Sequence, residues 1–436
     1  MTEKKNFFER TFKLSRYDTS VKQEAIAGMT TFMTMSYILV VVPQTLAKTG
    51  MDYAGLFTAV TIATIIGTLV GGLCSNLPIA LAPGLGLSAY FTYSVVISMG
   101  VPWQTALTAV FVEGIIFIIL TLTNVREAIV NAIPQPLRYA ISAGVGMFIA
   151  FIGLSNVGIV VQSDSTPLAL GNLVSVEAAI TVAGVFIVGI LLVKNKNYAM
   201  LAGIAVCTAL ALIFGVCALP DRIVALPASI GEIAFQFSFE GIGIGNFIGI
   251  LFTFLFVDMF DTLGTLMGVA EKGNMVEKDG TIRGIKGALM GDAIGTTAGA
   301  LLGVSTVGAY VESASGIAAG GRTALTSVFT ALGFGLAIFL GPIFMMVPSV
   351  ATSPVLIVVG VMMAQPVTKI DFRDYTIAIP CFLAMVMMPL SYSIAEGISF
   401  GCISYAVLKL LTGRGKECSI TLYILAAAFL CKYIFL

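Results

Sequence analysis

Five acidic residues lie inside apolar runs of this chain: Glu113, Asp258, Asp261, Asp292 and Glu312. A sixth, Glu396, lies near the end of such a run. A carboxylate at the centre of a membrane helix costs about 2.5–3.5 kcal/mol on insertion scales, so each calls for a partner, a cavity or a proton. Asp258 and Asp261 sit in "FTFLFVDMFDTLGTLMGVA", three positions apart, and so share a helical face. Phe254, Thr265 and Gly268 continue that face, which is small and polar and should look into a helix bundle. Glu312 sits in "GDAIGTTAGALLGVSTVGAYVESASGIAAGG". The preceding "STVGAY" favours extended backbone, and the following "SASGIAAGG" suits a tightly packed half-helix. Glu312 is thus expected at a helix N-terminus in mid-membrane, where free N–H groups and the dipole favour a carboxylate. Glu113 and Asp292 stand alone among apolar residues and admit a structural or a functional role. Glu396 reads as an interfacial or packing residue. Several carboxylates beside backbone N–H groups suit a flat ligand with N–H donors, as purines and pyrimidines are. Histidine is absent, so proton chemistry falls to carboxylates. Glu312, Asp258 and Asp292 are the candidates.

The elements that must hold these groups are membrane helices. The 436 residues are 58% hydrophobic and 11% charged, against about 25% charged in a soluble domain. Apolar segments recur at 23–46, 54–75, 81–99, 103–123, 135–155, 174–194, 198–216, 243–270, 284–303, 305–320, 322–346, 350–366, 374–391, 393–411 and 418–435. With the N-terminus in the cytoplasm, the positive-inside rule places all but Lys48, Arg222 and Lys432 of the 23 Lys+Arg on the inner side. The alternation carries through fourteen crossings. Segment 418–435 is either one crossing more or an interfacial helix. The first 22 residues are polar and basic, so no cleavable signal peptide is expected. The formal net charge is zero and shows no nucleic-acid footprint. The seven cysteines form no CxxC pair and read as small core residues,. No metal and no cofactor is called for.

Two interrupted segments resemble each other. "GTLVGGLCSNLPIALAPGLGLSAYF" begins at Gly67 and "GTTAGALLGVSTVGAYVESASGIAA" at Gly295. Both carry GTxxG, an extended-looking patch and small residues that open a helix. The alignment sets Gly84 opposite Glu312. Seven segments separate the copies, so they run in opposite directions, which is the signature of inverted-repeat secondary transporters. In the first copy a strand should break at Pro83 and a helix begin near Gly84. Ser88 offers a hydroxyl there. Tyr90 and Phe91 offer flat surface for stacking, or ordinary packing.

Four blocks carry a further resemblance: "TTFMTMSYILVVVP", "LPIALAPGLGLSAYFTY", "FVDMFDTLGTLMGVA" and the Gly291–Thr326 stretch "GDAIGTTAGALLGVSTVGAYVESASGIAAGGRTALT". In this order they resemble the azaguanine-like purine permeases, a branch of the nucleobase:cation symporter-2 family, over essentially the whole chain. The resemblance implies an all-α membrane protein of the uracil-permease-like fold: two inverted repeats of seven transmembrane segments, with short strands in segments 3 and 10. It implies a cytoplasmic segment 1–22, a core domain of 23–123 and 243–346, a gate domain of 124–216 and 347–411, and a hydrophobic tail 412–436. It implies import of adenine, hypoxanthine or guanine through the cell membrane by proton symport, with elevator-type alternating access. The implied partners are a purine nucleobase, a proton and the lipid bilayer, with a homodimer as the candidate assembly. Matched motif by motif, Asp258 binds the base and Asp261 binds it or holds the site's shape. Glu312 hydrogen-bonds the base, Tyr310 and Val311 bring backbone close, and Gly86 and Ser88 tune selectivity. Many members carry Asn where this chain has Ser88, which leaves the preferred purine open.

Two other classes compete. A channel for small or anionic solutes on the same fold would conduct without coupling, but buried carboxylates oppose an anion path. An intramembrane aspartyl hydrolase needs two carboxylates facing across a gap, which residues three apart on one helix do not provide.

Overall fold

A computed structural model describes residues 7–123, 134–163, 166, 168–273, 275–276 and 282–435. The chain is a bundle of apolar helices. Among the described residues, nine helices are long and apolar enough to cross a membrane, and shorter apolar helices follow at Leu85–Ser98, Ala199–Ile213, Tyr375–Ser391 and Ile420–Cys431. A short α1, Phe7–Phe12, precedes them. Polar caps set several helix starts. The Ser20 side chain accepts from the Gln23 N–H to open α2 (Val21–Met35). Asp52 does the same for α4 (Tyr53–Ser75), which ends at Asn76 in the left-handed conformation. Between them, α2 breaks at Ser36–Tyr37 and the chain resumes as α3 (Ile38–Ala47).

The centre of the bundle holds two short strands. Strand β1 (Leu81–Pro83) leads into α5 (Leu85–Ala89), which continues as a π-helix over Tyr90–Ser98. Helix α6 covers Trp103–Leu122 and α7 covers Gln135–Asn156. A two-residue hairpin pair, β2 (Val160–Val161) and β3 (Ala169–Leu170), follows, then α8 (Val176–Val193) and α9 (Ala199–Ile213). Helices α10 (Ile244–Lys272) and α11 (Ile285–Leu302) lead to strand β4 (Val307–Ala309) and the six-residue α12 (Ser313–Ala318). The remainder is helical: α13 (Ala324–Ala337), α14 (Gly341–Met345), α15 (Ser349–Ala364), α16 (Tyr375–Ser391), α17 (Ile394–Leu411) and α18 (Ile420–Phe435).

Strands β1 and β4 pair antiparallel, Leu81 with Ala309, Ala82 with Gly308 and Pro83 with Val307. The Gly84 N–H adds a bond to Thr306 O at 2.9 Å and the Tyr310 N–H one to Ala80 O at 3.0 Å. A two-stranded sheet buried in an apolar bundle has two open edges, whose polar groups must be satisfied internally. Threonines do this. Thr68 of α4 accepts from the Leu81 N–H at 3.0 Å and donates to Leu81 O at 2.9 Å. Thr296 of α11 accepts from the Val307 N–H at 3.1 Å and donates to Val307 O at 3.0 Å. The alignment that sets Gly84 opposite Glu312 also sets Thr68 opposite Thr296, so the threonine of each GTxxG serves the strand nearest it. Helices α4 and α11 approach closely behind the sheet: a Cβ on Gly291 would lie 2.1 Å from the Gly71 α-carbon.

Candidate functional site

Glu312 stands at the start of α12 with only 6% of its surface exposed. Its side chain makes no cap bond to the N–H groups of α12. Its backbone is itself in the helical region, φ −61° and ψ −20°, whereas a capping residue is extended so that its side chain folds back. The carboxylate meets Tyr37 instead, whose hydroxyl donates to Oε1 at 2.7 Å. Oε2 is buried and makes no hydrogen bond. Next to it, the buried Tyr310 donates its hydroxyl proton to Pro83 O at 2.6 Å. Val311 is 37% exposed, so the strand-to-helix turn has one open side.

A second acidic group lies behind β4. Asp258 of α10 and Asp292 of α11 are both wholly buried. The Thr262 hydroxyl lies 3.2 Å from Asp258 Oδ1 and 2.9 Å from Asp292 Oδ1, and it accepts from the Ala309 N–H at 3.4 Å. A hydroxyl has one proton to donate, so it serves one of the two carboxylates at a time, and one added proton lets both bond to it. Gly308 faces this group: a Cβ there would lie 2.9 Å from Thr262 Oγ1 and 3.3 Å from Asp258 Oδ1. Glu113 of α6 is also wholly buried and accepts from the Thr306 hydroxyl at 2.7 Å. Asp261 is half-buried and near enough to Asp292 and Glu312 for their charges to interact. The polar face of α10 thus changes along its length. It is interior at Phe254 and Asp258, half-open at Asp261 and Thr265, and exposed at Gly268.

The other sequence-selected residues divide. Ser88 shares a hydrogen bond of 2.7 Å with Ser305, which ties α5 to the approach to β4. Gly86 faces helix α7, where a Cβ would meet Val145 Cγ1 at 2.7 Å. Phe91 is wholly buried, with its ring 6.4 Å from that of Phe254, and Tyr90 meets Phe254 edge-on at 5.0 Å. Glu396 opens α17 and accepts from the Tyr433 hydroxyl. The structure therefore gathers Glu312, Tyr310, Val311, Asp258, Asp261 and Asp292 around the paired strands, while Gly86 packs against α7 and Phe91 against Phe254, one turn before Asp258 on α10. Reading the carboxylates alone misses Tyr37, Thr262, Ser305, Thr306 and Gly308. Tyr37 lies in one of the four resembling blocks, which was its only signal.

Two strand-to-helix turns, one with a held carboxylate, thus lie within an apolar bundle, and likeness to known proteins decides the family. Residues 22–400 match the model of the Permease family. The chain belongs to that family. It is 40% identical to the adenine permease AdeP of Escherichia coli, across 100% of this chain and 98% of that one. It is also 40% identical to the guanine/hypoxanthine permease PbuO of Bacillus subtilis, across 93% and 95%. Among solved structures, the transmembrane domain of a cyanobacterial bicarbonate transporter, BicA, superposes with a TM-score of 0.64 at 16% identity, covering 86% of this chain and 97% of that one. That likeness concerns the fold. This permease is a multi-pass membrane protein, and its relatives named for adenine and for guanine/hypoxanthine extend over nearly its whole length.

Proposed function

We propose that this permease imports a purine nucleobase (adenine, hypoxanthine or guanine) together with a proton. The observation that carries the proposal is Glu312: a buried carboxylate at a strand-to-helix turn, one oxygen held by Tyr37 and the other making no bond. An N–H of a planar base satisfies that oxygen. Asp258 and Asp261 flank the base, Tyr310 and Val311 bring the backbone to it, and Gly86, Ser88 and Phe91 shape the near side. The proton rides on Glu312 or on the Asp258–Thr262–Asp292 group, where one hydroxyl lies between two buried carboxylates.

The architecture in this proposal is fourteen crossings in two inverted repeats, with β1 in segment 3 and β4 in segment 10. Residues 23–123 and 243–346 form the core. They carry the base past a gate of 124–216 and 347–411, with the N-terminus in the cytoplasm. Gly86 against Val145 of α7 would then lie on the sliding boundary, and a homodimer would anchor the gate. The equivalent placement of Thr68 and Thr296, each bonded to the strand that follows it, supports the inverted repeat.

The test is uptake into proteoliposomes of radiolabelled adenine, hypoxanthine, guanine, uracil and adenosine, with and without an inward proton gradient. Accumulation of a purine base that collapses with an uncoupler is expected. Downhill equilibration unaffected by the gradient would point to a channel, and equal uptake of adenosine or uracil would overturn the purine assignment.

A further inference from the structure

Tyr37 lies in the two-residue break between α2 and α3, and its position is fixed on every side. Its carbonyl accepts from the Val40 and Val41 N–H groups at 3.1 and 3.0 Å, and its ring is 1% exposed. Helix α2 is packed along the length of α12: a Cβ on Gly316 would lie 2.1 Å from Thr31 Oγ1 and 2.8 Å from Ala27 O. At the far end, the wholly buried Glu24 of α2 accepts from the Arg322 N–H at 2.9 Å and from the Thr326 N–H and hydroxyl at 3.0 and 2.6 Å. The Gln23 amide donates to Ala319 O. Helices α2 and α12 therefore form one unit, pinned by Glu24 at one end and by Tyr37 and Glu312 at the other. The hydroxyl of Tyr310, two residues before Glu312, gives its proton to Pro83 O, and that of Ser313 accepts from the Ala80 N–H.

We infer that Tyr37 is a positioning residue for substrate: its hydroxyl commits one oxygen of Glu312 and thereby aims the other at the base. This deepens the purine-transport reading and rests on it. A free glutamate on a turn has several rotamers and two equivalent oxygens. Bonded to Tyr37, it has one orientation and a single acceptor to present, so ligand binding does not have to order it. Tyr37 acts through Glu312, and its contribution vanishes when Glu312 has no carboxylate to aim.

A double-mutant cycle tests this. Wild type, Tyr37→Phe, Glu312→Gln and the double variant are purified and titrated with radiolabelled adenine, hypoxanthine and guanine. Tyr37→Phe is expected to weaken the tightest base about 10-fold, the low end for a hydrogen bond to a charged group, with the unfolding temperature little changed. In the Glu312→Gln background the same change is expected to alter base affinity by less than about 2-fold, a coupling read in binding while the unfolding temperature hardly moves. Where Tyr37→Phe fails to stay monodisperse, Tyr37→Gln takes its place in the cycle; it keeps an N–H donor and should retain more affinity than loss of the donor allows. Equal losses in both backgrounds, or wild-type affinity in folded Tyr37→Phe, overturn the positioning role and leave the purine reading standing. A wild type that binds none of the three bases overturns both.

Discussion

Glu312 and Tyr37 meet across 275 positions of sequence, and the proposed base site turns on that contact. Substituting Glu312→Gln keeps size and polarity but replaces one acceptor by a donor. A lost hydrogen bond to a charged group is worth about 1.5–3 kcal/mol, or about 10–100-fold in affinity. Base affinity measured by titration should fall in that range while the protein stays folded. If Glu312 also carries the proton, exchange of bound base should outlast accumulation driven by a pH gradient. Wild-type binding together with wild-type accumulation would return Glu312 to a structural role. At this scale the sequence is legible in part. A carboxylate in an apolar run announces itself by its cost. Its partner does not, because Tyr37, Thr262 and Thr306 look like any other hydroxyl in a membrane helix until the fold brings them to Glu312, Asp292 and Glu113.

Among the elements, the paired strands depend on threonines outside them. Replacing Thr68 or Thr296 by Val keeps the shape and removes both bonds to one strand residue, Leu81 or Val307. An unsatisfied buried donor or acceptor costs about 1–3 kcal/mol. Each variant should lower the unfolding temperature in detergent, and the pair together should lose base binding before losing helix content by circular dichroism. Unchanged thermal stability in both would show that the edges find other partners. Gly291→Val should be worse than either, since even a Cβ meets Gly71 at 2.1 Å and overpacking costs about 1–3 kcal/mol or more. The apolar runs made the helices readable. The Ser36–Tyr37 break was not, for it contains neither Pro nor Gly, and the polar contact that Tyr37 makes there is with a residue distant in sequence. GTxxG was visible as a repeat, but the role of its threonine required knowing where an unpaired edge would fall.

At the scale of the whole molecule, a network of paired charges lies at the ends of three helices. Lys409, 1% exposed at its side chain, lies 2.6 Å from Glu417 and 3.8 Å from Asp374, and Arg414 bridges the same two carboxylates at 2.7 and 2.6 Å. This network joins the start of α16, the end of α17 and the approach to α18. Hydrogen bonds from Thr376 and then Arg414 push Asp374 down to about 2, and those from Arg414 and Lys409 push Glu417 down to about 2. Both carboxylates ionise more readily in the folded state. Their contribution is complete above the ordinary carboxylate range of about 4 and is lost as pH falls toward 2. Between pH 5 and 8 this network should leave thermal stability flat, with a decline below pH 4.5 that Asp374→Asn and Glu417→Gln blunt. A wild-type decline that begins near pH 6 would assign it to other groups. A second tie lies elsewhere: Lys48, just after α3, donates to the Tyr93 hydroxyl at 2.8 Å and to Asn156 Oδ1 at 2.6 Å, linking α3 and the π-helix to the end of α7. If core slides against gate, this contact breaks once per cycle. Lys48→Met should therefore change turnover in uptake assays and leave equilibrium base affinity as it was. The reverse pattern would place Lys48 at the site.

The pairing of β1 with β4 also has a consequence in time. Leu81 emerges from the ribosome long before its partner Ala309, and at about 5–20 residues per second the gap lasts roughly 10–50 s. During that interval Thr68 can serve Leu81, but the edge of the first strand that faces β4 lacks its partner. The half-built protein is most exposed to proteolysis and misassembly then. A chain halted by a stop codon before Val307 should be cleared by the cell's quality control, whereas supplying the missing half as a separate polypeptide should rescue it.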